Sequence, residues 1–279
     1  MGSDAVLYVV ATPIGNLSDM VPRAVSILQS VELIAAEDTR HSRRLLDHFN
    51  IQTRCIAYHD HSGPADLAKL LVELQSGNSV ALISDAGTPL VSDPGFRLVD
   101  AALSAGIKVV PIPGSCAVIA ALSAAGLPTD RFVFEGFLSA KMQARQQRLR
   151  ELQRESRTLV FYEAPHRLFE MLADCAAIFG EARVGVIARE ITKLHETIYR
   201  APLGELSRWV VEHQQDRGEC VILIHGDQRE SVIAAESEQV LRVLLEELPV
   251  KQAAALAAKI TGLKKNDLYD LALAWKNSA

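Results

Sequence analysis

The residues most suited to chemistry form one turn, residues 84–95, with the sequence Ser-Asp-Ala-Gly-Thr-Pro-Leu-Val-Ser-Asp-Pro-Gly. The turn directly follows an apolar tetrad, residues 80–83, and precedes a segment with helical periodicity. Its glycines allow a ligand to approach the backbone closely, and the carboxylates of Asp85 and Asp93 can accept hydrogen bonds. An ordinary strand-to-helix connection would need one capping side chain, whereas this turn contains Ser-Asp-x-Gly twice. We therefore expect a small ligand to bind here, at the end of a strand.

The elements that must position this turn alternate between apolar strands and amphipathic helices. The pattern predicts strands at residues 7–11, 33–36, 54–58, 80–83 and 108–112, with helices at 22–30, 42–49, 65–75, 95–105 and 117–125. Such alternation is typical of a parallel sheet covered by helices on both faces. Because parallel strands end at one edge of the sheet, the loops that follow them should be neighbours of the turn.

After residue 126 the pattern changes to a second, mixed α/β domain. We predict strands at residues 132–134, 158–162, 184–188, 196–200 and 220–225, with helices at 167–179 and 203–215. The short connection at residues 191–194 indicates a hairpin, hence antiparallel pairing. The expected organisation is an N-terminal α/β domain at 1–126, a mixed-sheet α/β domain at 127–227 and a C-terminal helical region at 228–279.

The C-terminal region is alanine-rich, with predicted helices at residues 236–247, 250–261 and 265–276 and a turn at Gly262. Helix, glycine turn and helix resemble a helix-turn-helix. The alternative is a plain helical hairpin that closes the domain, and the pattern alone favours this alternative.

Composition excludes several classes of protein. No apolar run is long enough to span a bilayer and the N-terminus lacks a signal-peptide pattern, so we expect a cytoplasmic protein without membrane attachment. The four cysteines are widely spaced, and the nearest histidines, His59 and His61, have no partner motif, so neither disulfides nor a metal site is expected. The net charge of −5 means that any nucleic-acid site must be local.

One candidate for such a site is the basic run at residues 141–157. At helical spacing, Lys141, Arg145 and Arg148 fall on one face, where they could contact RNA. A solvated helix face is the alternative interpretation.

Familiar nucleotide-binding signatures, Gly-x-Gly-x-x-Gly after the first strand and the Walker motif, are absent from the sequence. The chain instead resembles, over nearly its whole length, the bacterial small-subunit ribosomal RNA cytidine 2′-O-methyltransferases of the tetrapyrrole methylase superfamily. The motifs that carry this resemblance are residues 10–17, 35–40, 84–95, 113–115, 134–137, 162–167, 189–193 and 251–257. Tetrapyrrole methylases usually have a first loop ending in Gly-Asp and a Gly-Asp-Pro after the fourth strand, whereas this chain has residues 12–16 and 84–88. A tetrapyrrole substrate is therefore not the expectation.

The resemblance implies two α/β domains of the tetrapyrrole methylase type, S-adenosylmethionine in the cleft between them, and a homodimer. It also implies the residues that contact the cofactor, many of them through the backbone. Within the turn, Asp85 and Ala86 compete for one role. The implied contacts are Pro13, Asp85, Ala86, Gly87, Thr88, Ser115, Cys116, Ala117, Tyr162, Glu163 and Ile191.

The implied reaction is attack of a ribose 2′-hydroxyl of 16S ribosomal RNA, in the small ribosomal subunit, on the cofactor methyl group. For removing the proton we favour Glu190 and Lys193, followed by Asp38. Arginines and lysines would hold RNA phosphates, with solvated surface as the alternative: Arg40, Arg43, Arg44, Lys264 and Lys265, besides the basic run. Two other functions stay open, a tetrapyrrole C-methylase and a non-catalytic RNA-binding assembly factor that keeps the cofactor pocket.

Overall fold

The computed structural model describes residues 5–59, 62–213 and 218–277. Contacts among these residues divide the chain into two compact units, Met1–Gln153 with Arg157–His225, and Arg154–Ser156 with Gly226–Ala279. The first unit contains both sheets and the second contains the C-terminal helices. His61 and positions 214–215 of one predicted helix lie outside the described residues.

The first sheet is parallel, as predicted. Its strands, in the order β3-β2-β4-β1-β5, are β1 (Val6–Val10), β2 (Leu33–Ala36), β3 (Cys55–Ala57), β4 (Val80–Ile83) and β5 (Lys108–Ile112). The connecting helices are α1 (Pro22–Ser30), α2 (Thr39–His48), α3 (Pro64–Gln75), α4 (Phe96–Ser104) and α5 (Ala117–Ala125). Alternate residues of β4 enter two separate cores, Ala81 and Ile83 on one face, Val80 and Leu82 on the other. This burial on both faces explains why the strand reads as an unbroken apolar run.

Helix α2 begins at Thr39, three residues before the predicted start. The side chain of Asp38 accepts a hydrogen bond from the backbone N–H of Arg40 at 2.8 Å, which caps the helix. This cap recruits Thr39, Arg40 and His41 into the first turn of the helix.

The second sheet is mixed, in the order β6-β7-β10-β8-β9: β6 (Phe132–Phe137), β7 (Thr158–Glu163), β8 (Val184–Arg189), β9 (Thr197–Pro202) and β10 (Cys220–Ile224). β6 pairs with β7 in parallel, and the remaining pairs are antiparallel, including the predicted hairpin of β8 and β9. One face packs against α6 (Met142–Glu151), α7 (Leu168–Phe179) and α8 (Leu203–Glu212). The opposite face packs against Ala121 and Leu122 of α5, so this helix joins the two sheets.

Strand β6 is longer than the predicted residues 132–134 because it continues through a bulge. Phe134 lies opposite Val160, and Gly136 lies opposite Phe161, so Glu135 is an extra residue with no partner of its own. Gly136 has a φ of 64°, which suits the left-handed conformation that such bulges require.

The second compact unit consists of α9 (Arg229–Glu247), α10 (Val250–Thr261) and α11 (Lys265–Asn277). Gly262 adopts a φ of 76° and ends α10, as the sequence predicts. The alanine-rich face of α10 is buried at Ala253, Ala254 and Ala257, which allows the helices to approach closely. Among the described residues, no helix has both the length and the apolar character needed to cross a bilayer.

Candidate active site

A cavity of about 400 Å³ lies in the first unit, where the loops after β2 and β4 face the second sheet. Ligand sites in proteins commonly have volumes of about 300–1,000 Å³, so this cavity suits one small molecule. It is lined by residues from six regions: Ile14; Glu37; Asp85–Thr88 and Val91–Asp93 of the turn; Cys116 and Ala117; Phe137 with Tyr162–Pro165; and Ala188, Ile191 and Gly218–Val221.

Hydrogen bonds join the loops that form the first wall. The backbones of Thr12 and Gly87 form a two-way bridge, with N···O distances of 2.8 and 3.0 Å. The hydroxyl of Thr88 donates to the carbonyl oxygen of Ser115 at 2.9 Å. Gly87 has a φ of 84°, and a Cβ there would lie 3.2 Å from Ile14. The three loops therefore form one connected surface around the turn at residues 84–95.

The backbone near the cavity is strained at two loops. Leu90 and Ser92, in the turn, have φ values of 74° and 64°, and Glu190 and Thr192, after β8, have values of 51° and 69°. Among the described non-glycine residues, these are four of five with positive φ, Asn50 being the fifth. Such conformations are unfavourable for L-residues and concentrate at functional sites.

The charged residues that line the cavity are all acidic among the residues the structure describes. They are Glu37, Asp85, Asp93, Glu163 and Glu219. Hydrogen bonds between the two loops fix the first two side chains. Glu37 accepts from the backbone N–H of Asp85 at 3.3 Å, and Asp85 accepts from the backbone N–H of Asp38 at 3.1 Å. Lys193 pairs with Glu219 at 2.9 Å and Arg167 lies 3.3 Å from Glu163, which partly balances two of these charges. The lining still has an acidic excess, which favours a cationic ligand over a phosphate.

The second wall begins at the end of β7, with Tyr162 and Glu163. Burial is the main cause that raises the pKa of Tyr162, and the charges of Cys116 and Asp93 add to it, so the phenol stays protonated. Burial also raises the pKa of Glu163, whose Oε1 accepts from the backbone N–H of Ala164 at 2.8 Å. The Glu163 side chain is fully buried, its Oε1 lies 3.3 Å from Nε of Arg167, and its Oε2 has no hydrogen-bond partner among the described residues.

Nine of the eleven residues predicted to contact the cofactor line the cavity: Asp85, Ala86, Gly87, Thr88, Cys116, Ala117, Tyr162, Glu163 and Ile191. The other two, Pro13 and Ser115, are not among its lining residues. Ser115 instead joins two loops by accepting the hydrogen bond of Thr88. The contacts themselves stay predictions, and both Asp85 and Ala86 remain available for the role they share.

The three residues favoured for proton removal do not belong to the cavity lining among the described residues. Lys193 donates to Glu190 and Glu219, each at 2.9 Å. Burial acts to lower the pKa of Lys193, but these two hydrogen bonds outweigh it and raise that pKa. The ammonium group is therefore a poor proton acceptor. Burial acts to raise the pKa of Glu190, but hydrogen bonds from Lys193 and from the backbone of Glu219 outweigh it and lower that pKa. The hydrogen bond from Arg40 lowers the pKa of Asp38 to about 2.

Two of the three predicted phosphate contacts on α2 line a second depression, of about 480 Å³. Arg40 and Arg43 line it, together with Arg54, which the sequence interpretation did not include. Arg43 lies 3.3 Å from Asp47, and both side chains are largely exposed. Arg44 is also exposed, but it is not among the lining residues of the depression.

The expected exposure of one basic residue on helix α6 is wrong. Arg145 was expected on an exposed basic face, but only 2% of its side chain is exposed. Its Nε donates to Asp174 at 2.6 Å, and its Nη2 lies 3.4 Å from Glu170. The charge run that predicted RNA contact is therefore divided, because Arg145 points into the core of the second sheet's helices.

The other basic residues predicted to contact RNA on α6 and in the C-terminal unit are accessible. Arg148 forms a bidentate pair with Glu135, at 2.8 and 2.9 Å, and also donates to Glu151. Lys141 is exposed just before α6, and Lys264 and Lys265 are exposed at the start of α11. RNA contact by these residues stays a prediction.

Sequence reasoning missed one side of the cavity. Gly218–Val221 lie at the start of β10, which runs antiparallel to β7 and β8. The start of an antiparallel strand lies beside the ends of its neighbours, so the predicted mixed sheet already contained the signal for this segment. Phe137 lay within a recognised motif but had been given no role.

Comparison with known proteins first defines the class. A family model described as Tetrapyrrole (Corrin/Porphyrin) Methylases matches residues 6–207, and one described as RsmI C-terminal HTH domain matches residues 231–276. The structure of uroporphyrin-III C-methyl transferase from Thermus thermophilus, complexed with S-adenyl homocysteine, has the same fold. It aligns over 79% of this chain and 97% of that chain, with a TM-score of 0.55 and 19% identity. The two sheets thus form a tetrapyrrole methylase fold, and the C-terminal helices are of the HTH type rather than a plain hairpin.

Closer relatives define the particular family. Ribosomal RNA small subunit methyltransferase I of Pseudomonas aeruginosa is 58% identical over 275 residues, which cover 97% of this chain and 98% of the relative. The protein of the same name from Escherichia coli O157:H7 is 53% identical over 273 residues, with coverages of 97% and 96%. The chain belongs to this family, ribosomal RNA small subunit methyltransferase I. The resemblance inferred from the sequence motifs is confirmed.

Proposed function

We propose that the protein transfers the methyl group of S-adenosylmethionine to the 2′-hydroxyl of a cytidine ribose in the 16S RNA of the small ribosomal subunit. The observation that carries this proposal is the acidic cavity in a chain of the ribosomal RNA small subunit methyltransferase I family. Carboxylates at the wall suit the positive charge of a sulfonium ion.

The cavity fits the cofactor in two further respects. Its volume suits one small molecule, and Gly87, which lines it, has no side chain to keep a ligand away from the backbone. We assign Asp85–Thr88, Cys116, Ala117, Tyr162, Glu163 and Ile191 to hold it. S-adenosylmethionine, when bound, supplies an electrophilic methyl group on sulfur.

The contribution of the chain is to align the nucleophile, take its proton and keep water out. We assign proton removal to Asp93 rather than to Glu190, Lys193 or Asp38. Asp93 lines the cavity together with Tyr162, whose pKa its charge helps to raise. The Asp93→Asn variant keeps the shape of the side chain but accepts a proton poorly, so we expect a fall in kcat of roughly 10²- to 10⁴-fold at saturating cofactor. A kcat within a few-fold of the wild-type value would reject this assignment.

RNA approaches the same edge of the first sheet in this proposal. Glu37, at the cavity, is followed in sequence by Asp38, which caps α2, and α2 contributes Arg40 and Arg43 to the basic depression. A strand whose ribose meets the cofactor at the cavity mouth can therefore place neighbouring phosphates against these arginines. The HTH helices, with Lys264 and Lys265, are a further contact that we propose for the same substrate.

The experiment that tests the function uses labelled S-adenosylmethionine and small subunits purified from cells that lack the enzyme. We expect label in 16S RNA and an alkali-resistant linkage at one cytidine, the signature of a 2′-O-methyl group. Cofactor binding and ribosome association without label would instead support the non-catalytic assembly factor. Methylation of a uroporphyrinogen-type acceptor, without label in RNA, would support the tetrapyrrole C-methylase.

Two parts of the proposal concern context. We propose that the enzyme works as a homodimer, which sedimentation of the purified protein checks. We also propose that it acts in the cytoplasm, where the small subunit is found.

A further inference from the structure

One exposed aromatic residue occupies an unusual place at the cavity. Of the large apolar side chains that are exposed in the described residues, Phe137 is the one that lines the cavity. Its exposed fraction is 58%, although its ring contacts Tyr162 at a centroid distance of 5.5 Å. An aromatic ring with one supported edge and a large accessible area is suited to stack on another ring.

The bulge in β6 determines where this ring points. In a regular strand, Phe134 and Phe137 would lie on opposite faces, because they are three residues apart. The extra residue Glu135 shifts the register, so that Phe134 lies opposite Val160 and Phe137 lies opposite Tyr162. Both rings consequently contact the ring of Tyr162, Phe134 at 5.0 Å and Phe137 at 5.5 Å. The bulge thus turns Phe137 towards the cavity.

Two contacts hold the bulge in place. Arg148 donates two hydrogen bonds to the carboxylate of Glu135, at 2.8 and 2.9 Å. On the other side, Gly136 lies against Ser92 of the turn, where an added Cβ would be only 3.1 Å from the hydroxyl oxygen. Bulges next to active sites commonly re-aim a side chain, and this one is fixed by an ion pair from one side and the turn from the other.

We propose that Phe137 forms the base-binding subsite, on which the base of the target nucleotide stacks while its ribose meets the cofactor at the cavity mouth. This inference rests on the proposed function. The cavity suits one small molecule, the cofactor, so the ribose of the target nucleotide must meet the methyl group at the cavity mouth, with its base beside an exposed lining residue. RNA-binding proteins commonly hold splayed bases on aromatic rings. Phe137 is the exposed ring at that position.

The test compares four substitutions at this position in methyl transfer to small subunits lacking the modification. Because stacking on a base requires a ring, Phe137→Ala and Phe137→Leu should lower kcat/KM for the RNA substrate by roughly 10- to 100-fold. Phe137→Tyr and Phe137→Trp should keep most of the activity. The affinity for S-adenosylhomocysteine, measured by calorimetry, should be unchanged in all four. Phe132→Ala serves as a matched control, because Phe132 is an exposed phenylalanine of the same strand that does not line the cavity.

Four results would overturn the inference. If Phe137→Leu is as active as the wild type, apolar cover rather than stacking is what matters. If Phe137→Ala loses affinity for S-adenosylhomocysteine, the ring covers the cofactor; if light scattering shows a changed oligomeric state, it contacts a second copy of the chain. If Phe137→Ala is as active as the wild type, the subsite does not exist.

Failure of the proposed function has a different signature, since then even the wild-type protein adds no label to small subunits. Unfolding of the alanine variant does not obscure the test. If that variant unfolds, the activities of Phe137→Tyr and Phe137→Trp can still be compared with that of Phe137→Leu. This comparison sets large side chains with a ring against one without a ring.

Discussion

Two helices of the first unit have a similar run of basic residues in the sequence, but the two runs differ in exposure and in their ion-pair partners. Helix α2 has Arg40, Arg43 and Arg44, and the α6 region has Lys141, Arg145 and Arg148. On α2, the side chains of Arg40 and Arg43 are 90% and 76% exposed and line an open depression. On α6, Arg145 is 2% exposed and Arg148 is 47% exposed, and both bind carboxylates from distant parts of the chain.

The difference lies in the partners. Arg40 and Arg43 pair with Asp38 and Asp47, two and four residues away. Such exposed local pairs contribute little free energy, so breaking one to bind a phosphate would cost little stability. Arg145, by contrast, pairs with Asp174 of α7, 29 residues away, and Arg148 pairs with Glu135 of β6 besides the local Glu151. A run of basic residues therefore identifies an RNA contact only when its acidic partners are known.

The largest effect should come from Arg145. Removing its side chain in Arg145→Ala leaves Asp174 buried without its ion pair, so we expect a loss of about 3–5 kcal/mol in the free energy of unfolding. Denaturant unfolding of this variant measures the loss. Arg150→Ala, on the exposed face of the same helix, is the control and should change stability by no more than about 0.5 kcal/mol. If Arg145→Ala is as stable as the wild type but binds RNA weakly, Arg145 contacts RNA as the sequence predicts.

Arg148 should have a smaller effect, on activity. Because its bidentate pair with Glu135 holds the bulge below Phe137, Arg148→Ala should lower kcat/KM for RNA by roughly 10-fold, the lower end of the loss expected for stacking. Arg148→Lys cannot donate two parallel hydrogen bonds to Glu135, so its kcat/KM should lie between those of the wild type and Arg148→Ala. The salt dependence of RNA binding separates the two roles of Arg148. A slope unchanged from the wild type supports the positioning role, whereas a slope reduced by about one means that Arg148 contacts a phosphate.

Periodicity and resemblance could predict most of the fold from sequence. Both sheets, their parallel or mixed character and nearly every helix were predicted, because apolar runs and turn residues are local signals. The bulge at Glu135 could not be predicted, since it depends on Arg148, Ser92 and the register of β7 together. The turn at residues 84–95 was found because its special residues are consecutive. The burial of Arg145 was missed because its partner Asp174 is 29 residues away.

The smallest of the expected effects concerns Arg43, and it decides whether α2 differs from α6 in function as well as in structure. Arg43→Gln removes one positive charge from the depression that Arg40 and Arg54 share. If a phosphate binds there, the slope of log affinity for small subunits against log salt should fall by about one. Filter binding at several salt concentrations measures the slope. Affinity for S-adenosylhomocysteine should not change, because Arg43 is not among the residues that line the cavity in the described structure. Arg97→Gln is the matched control, an exposed arginine on α4 outside the depression. Equal slopes for the two variants would mean that the arginines of α2, like those of α6, do not contact the RNA.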